Sequence, residues 1–236
     1  MRWIALVCAL ALTGCVTTTQ APQPSKPTPT KAVQKKRTVP TKAQMQSFAR
    51  VVRTMEPVAE NECRRRARGL NCDFKIVVDD RPGQPANAFQ TLDRTGRPIL
   101  AFNLAFIAQA RNPDELAFVM GHESAHHISG HIARQRQNAT AGAILLGGIA
   151  AISGAGDGAI STARDLGAAV GARTYSKDFE LEADALGTII TKRAGFNPVR
   201  GAQFFTQIPD PGDRFLGTHP PNAKRMETVI RVNNSL

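Results

Sequence analysis

The sequence from Asn112 onward reads as a helix carrying two histidines on a single face, and that pairing constrains what can be built around it. Asn112-Pro113-Asp114-Glu115 supplies a helix start, with Asn as the cap, Pro at the first helical position and Glu three residues after the cap. The string His122-Glu123-Ser124-Ala125-His126 follows within the same apolar-periodic stretch. Residues four apart on an α-helix differ by only about 40° in direction, so both imidazoles point one way and can take two corners of a tetrahedral zinc site. Glu123 lies beside that face, where a carboxylate can act as general base on a metal-activated water. Two ligands do not make a site, so the fold must bring a third from elsewhere.

Ten residues after His122, where one class of zinc protease places a third histidine, stands Ile132. His131 is one position off and lies about 180° around the helix from His122. His127 and His131 therefore read as structural or surface histidines. A better candidate lies downstream in Ser176-Lys177-Asp178-Phe179-Glu180-Leu181-Glu182-Ala183-Asp184. Glu180 and Asp184 are again four apart on one helical face. Glu180 could bind zinc while Asp184 accepts a hydrogen bond from a ligand imidazole and fixes its tautomer. The alternative is a solvated acidic face.

Around these segments the pattern predicts an α+β fold, mostly helical with a small antiparallel sheet. From Thr41, Met45, Phe48, Val51, Val52, Met55 and Val58 recur at three- and four-residue spacings, predicting a helix toward the basic cluster at 64–68. Short β-like runs at 74–78, 88–92 and 98–102, bounded by Gly, Pro, Asn and Asp, predict the sheet. Residues 138–156 are uncharged and rich in Gly and Ala, which makes a poor spanning helix. They read as a mobile flap or helical hairpin near the active site, with membrane contact as the alternative. A final helix is expected from about Ser176 to a glycine cap at Gly195.

The N-terminal region has a different character. Residues 1–14 have an Arg beside the start and an apolar run ending in small residues, the pattern of a secretory signal peptide. Leu12-Thr13-Gly14-Cys15 resembles the lipobox of bacterial lipoproteins, which implies that Cys15 is diacylated and anchors the mature chain to a membrane. Residues 15–43 form a Pro-, Thr- and Lys-rich linker with too little apolar surface to fold, and 44–236 form the folded domain. The linker also explains much of the net charge of +11: residues 16–43 hold six basic residues and no acidic one. Outside leader and linker the balance is near neutral, about +4, and the linker lysines have no aromatic residues among them, which argues against nucleic-acid binding. Cys63 and Cys72 remain as an even pair in an oxidising compartment, favouring a disulfide over two buried thiols.

Together, GHESAHHISGH and SKDFELEADALG resemble the two zinc motifs of the HtpX/CAAX prenyl protease-type metallopeptidase family, gluzincins whose third ligand is the Glu of an E-x-x-x-D motif. Asn87-Ala88-Phe89, and Thr218-His219-Pro220-Pro221 with Arg225, are similar to further family segments. The resemblance implies a zincin-type domain with one zinc per chain, held by His122, His126 and Glu180, with Glu123 as catalytic base and Asp184 behind the ligands. It also implies that Glu182, only two residues before Asp184, is not the ligand. His219, rigidly placed by two prolines, would stabilise an oxyanion, take zinc's open position at rest, or serve structure; Tyr175 is a weaker oxyanion candidate. The expected activity is cleavage of misfolded or misassembled envelope proteins, the alternative a zinc-stabilised chaperone or binding module with little proteolysis. Val16 after the lipidated cysteine implies, by family-level sorting rules, the outer membrane facing the periplasm. Substrate strands are expected to add to a sheet edge near 87–92.

Overall fold

The computed structural model describes residues 39–174, 176–210, 212 and 220–236. Cys15, Tyr175 and His219 lie outside the described residues. Helix α1 (Lys42–Arg66) opens with a capping box in which Thr41 accepts from the Gln44 backbone at 3.2 Å and Gln44 accepts from the Thr41 backbone at 2.9 Å. It buries Phe48, Val51, Met55 and Ala59 at helical spacing. A disulfide joins Cys63 in its last turns to Cys72, just ahead of strand β1 (Lys75–Asp79).

Strand β2 (Ala88–Leu92) and strand β3 (Pro98–Asn103) form a hairpin whose turn is organised by Asp93: its Oδ1 accepts from the Thr95 and Arg97 amides at 2.8 and 3.0 Å. Gly96, at φ 83°, completes the turn in a conformation that side chains disfavour. The sheet is not wholly antiparallel. Its order is β1-β3-β2, with β3 antiparallel to β2 and parallel to β1. A tight turn forces adjacent strands to run oppositely, but β1 is joined to β3 only by way of residues 80–87 and β2, and nothing in its alternation fixes its direction. Asn103, at the end of β3, caps α2 (Leu104–Gln109) by accepting from Phe106 at 2.8 Å, and the same oxygen accepts from the Asn87 backbone at 3.0 Å. One side chain therefore ties the start of β2 to the central strand.

Helix α3 (Pro113–Ile128) is capped by Asn112 and is buried along nearly its whole length. Helices α4 (His131–Ile152) and α5 (Asp157–Thr174) form a helical hairpin, with Ile144, Leu145, Ile149 and Ile152 exposed. Among the described residues no helix is long and apolar enough to cross a membrane. Helix α6 (Ser176–Arg193) ends before Gly195 at φ 84°. It is not the last element: α7 (Pro198–Gly201), a 3-10 turn at Ala202–Gln207 and α8 (Asn222–Asn234) follow. The polar faces of α8 hide it from an apolar-period reading, since only Arg225, Thr228 and Val229 are buried.

The core gathers Phe48, Met55, Phe74, Phe102, Phe106, Met120 and Ile190 between α1, the sheet, α3 and α6. Helices α3 and α6 run antiparallel, and at their closest point each presents a glycine. A Cβ on Gly187 would lie 2.9 Å from the His122 amide nitrogen, and one on Gly121 would lie 2.9 Å from the Gly187 carbonyl oxygen. Gly→Ala inside a helix ordinarily stabilises by about 1 kcal/mol; Gly187→Ala is expected to reverse the sign and destabilise by roughly 1–3 kcal/mol through overpacking. Thermal unfolding of the variant measures it, and an unchanged or raised Tm would show that the contact is not constraining.

Candidate metal centre

The close approach of α3 and α6 places Glu180 opposite the two histidines of α3. His122 Nε2 and His126 Nε2 are 3.0 Å apart, Glu180 Oε1 is 3.3 Å from His126 Nε2, and Glu180 Oε2 is 3.6 Å from His122 Nε2. His122, His126 and Glu180 form the metal-capable cluster among the described residues. Zinc bound tetrahedrally at about 2.0–2.1 Å from each ligand sets neighbouring ligand atoms roughly 3.3 Å apart, so the observed triangle fits that ion.

The donor chemistry leads to the same fit. Asp184 is fully buried, and its Oδ1 lies 2.9 Å from His122 Nδ1. The proton of a neutral His122 therefore sits on Nδ1, leaving the Nε2 lone pair facing His126 and Glu180. Burial works to raise the Glu180 carboxyl, but hydrogen bonding to His126 and the charges of His122, His126 and Arg225 outweigh it and hold the group well below the usual carboxylate range. Burial works against protonation of His122, yet Asp184 and Glu180 overcome it and hold the imidazole above its ordinary value. Lone pairs and a carboxylate converging on one point favour a cation there, whether proton or metal.

Arg225 is 4% exposed and reaches this cluster from α8. Its Nε donates to Asp184 Oδ2 and its Nη2 to Oδ1, both at 2.7 Å, while its guanidinium lies 3.8 Å from the centre of the Phe205 ring. Nη2 also stands 3.4 Å from Glu180 Oε2. Arg225 thus compensates Asp184 in the interior and leaves one oxygen of that carboxylate shared with His122.

A family model described as peptidase family M48 matches residues 45–232, which include both helices of this centre. The chain belongs to peptidase family M48. It is accordingly a metallopeptidase, a hydrolase of a zinc-dependent family. A Vibrio cholerae serotype O1 protein provisionally named a beta-barrel assembly-enhancing protease is 33% identical over 138 residues, covering 52% of this chain and 26% of that relative. The match therefore spans about a quarter of the relative's length.

In this M48 chain the catalytic-base candidate Glu123 lines a cleft of about 380 Å³ together with His122, His126 and Glu180. Phe106, Phe118, Phe204 and Phe205 give one wall its apolar character, and Ala88, Phe89 and Gln90 of β2 form part of the rim. His131 lies elsewhere than the unbroken-helix reading puts it. Helix α3 stops at Ser129, Gly130 takes a left-handed conformation at φ 66°, and α4 starts afresh at His131, so angular counting from His122 fails across the break. The His131 ring turns back to the site, with Nδ1 2.8 Å from His126 Nδ1. Burial, followed by the neighbouring His126, pushes His131 down to about 4. His127 points away and lies 2.7 Å from the Asn71 carbonyl oxygen, a structural position.

In the sequence Arg225 stands beside a family-like segment with no sign of its role, and His131 reads as a structural or surface histidine. Arg225 carries no periodic signal, because its partner Asp184 stands 41 residues earlier. Removing the guanidinium by Arg225→Met leaves a buried carboxylate without its counter-charge, which costs on the order of 3–5 kcal/mol. Chemical denaturation of the metal-free protein is expected to show that loss; a loss below about 1 kcal/mol would mean that Asp184 is not held by Arg225 as a buried charge.

Proposed function

We propose that this metallopeptidase is a zinc endopeptidase of the bacterial cell envelope that cleaves misfolded or misassembled polypeptides, lipid-anchored through Cys15. The observation that carries the chemistry is the convergence of His122, His126 and Glu180 on one point beside Glu123, in a cleft bordered by an edge strand. When bound, zinc supplies Lewis acidity that polarises a peptide carbonyl and acidifies a water molecule. Glu123 accepts the proton of the attacking water and returns it to the departing amine. Asp184 keeps the His122 proton on Nδ1, and Arg225 holds the Asp184 carboxylate in place through two hydrogen bonds.

Substrate is held by backbone more than by side chains. Strand β2 is at the sheet edge, with Ala88, Phe89 and Gln90 on the cleft, so an extended peptide can pair with it and lie across the metal point. Main-chain pairing tolerates varied sequences, and the phenylalanine wall favours bulky apolar residues that folded proteins bury. Both features suit unfolded clients. The name of the Vibrio relative fits an envelope setting, as do the leader-like residues 1–14 and the Cys15 context. Val16 after Cys15 supports a placement on the outer membrane facing the periplasm, where the basic linker can lie against anionic headgroups.

Denatured casein incubated with the purified chain is expected to be cut, with activity lost on zinc chelation and restored by zinc. Glu123→Gln is expected to keep its zinc and lose at least about 10²-fold in kcat/KM, the scale of general-base catalysis. Wild type and variant equally inert with zinc bound would replace the protease by a zinc-stabilised binding module. For the anchor, labelled palmitate is expected in the wild-type chain expressed in a Gram-negative host and absent from Cys15→Ser; equal labelling would place the lipid elsewhere.

A further inference from the structure

His122 and His126 are held from behind in chemically different ways. Behind His122 stands a carboxylate, Asp184, compensated by Arg225. Behind His126 stands a second imidazole, His131, with the two Nδ1 atoms 2.8 Å apart. We propose that His131 is a positioning residue that fixes His126 in the tautomer whose Nε2 is free for the metal. This rests on reading His122, His126 and Glu180 as the metal ligands.

Two protons have to be placed along this chain of rings, and only one arrangement is consistent. A metal-binding His126 Nε2 carries no proton, so Nδ1 carries it and donates to His131 Nδ1. His131 must then be protonated on Nε2, which lies 3.2 Å from Glu182 Oε2, close enough for attraction though off the line of a hydrogen bond. The reverse arrangement would put a proton on His126 Nε2 and a lone pair of His131 against a carboxylate.

The surroundings hold His131 in place. Its ring is 4% exposed and stacks on Phe179, centroids 4.6 Å apart at an interplanar angle of 11°. Arg134 sits 4.3 Å from the centre of the Phe179 ring and donates to Glu182 at 2.7 Å. Glu182, not a ligand, thereby gains a place behind His131. A neutral acceptor also suits this side of the site: a carboxylate behind His126 would add uncompensated negative charge beside Glu180, whereas Arg225 is already committed to Asp184.

The test compares the full chain with His131→Phe, which preserves the flat ring against Phe179 but offers no acceptor, and with His131→Asn, whose amide oxygen can accept. Zinc affinity is read by chelator competition, ligand geometry by the absorption spectrum of the cobalt-loaded protein, and folding by the Tm of the metal-free forms. Expected are a zinc Kd raised 10- to 100-fold in His131→Phe at near wild-type Tm, a perturbed cobalt spectrum, and partial recovery of both in His131→Asn. Wild-type zinc affinity in a folded His131→Phe would overturn the proposal. If wild type itself bound no zinc, the ligand assignment would fall and this inference with it. Should His131→Phe not fold, 15N NMR of zinc-loaded wild type decides: a scalar coupling across the hydrogen bond between the two Nδ1 atoms is expected, and its absence with zinc bound would refute the proposal.

Discussion

Helices α3 and α6 touch backbone to backbone at Gly121 and Gly187, and the geometry of the metal centre depends on that contact. Ordinary helix pairs keep their axes 8–10 Å apart because side chains stand between them. Here a Cβ on either glycine would approach backbone atoms of the opposite helix to within 3.0 Å. With that space removed, a glutamate side chain of α6 reaches the plane of two histidines on α3. The register follows: His122 faces Asp184 and His126 faces Glu180, one helical turn apart on each element.

The cluster built on this contact places ionisable groups where water is scarce, and such groups are costly unless each is compensated. Asp184 is compensated by Arg225, Glu62 by Arg66 and Arg193, and Asp114 by Arg200 together with the Asn197 amide. In each case the partner comes from a different element or a later turn, so the charges also fix how elements meet. Glu62 shows this plainly: at 2% exposure it ties α1 to the end of α6. Arg225 does the same for α8, which otherwise offers little apolar surface to the core.

Much of the local architecture was legible in the residues. Thr41, Asn112 and the apolar spacings after them mark α1 and α3 because capping and amphipathic period are properties of a short window. The three strands appear at the expected segments, while the parallel pairing of β1 with β3 does not, since β1 and β3 are not consecutive and their direction depends on where the chain places β2. His131 escaped for a related reason. Angular position on a helix holds only while the helix continues, and Gly130 ends it one residue earlier.

The sequence by itself determined the paired imidazoles of α3, the neighbouring Glu123 and the four-residue partnership of Glu180 with Asp184, because helical periodicity places such residues without knowledge of the rest of the chain. Tertiary structure alone decided that these two elements meet, that Arg225 arrives from α8 to compensate Asp184, and that His131 turns back behind His126. Those contacts join residues separated by a helix break or by tens of positions, and they are set by close packing and by the cost of burying charge, neither of which has a period that can be read along the chain.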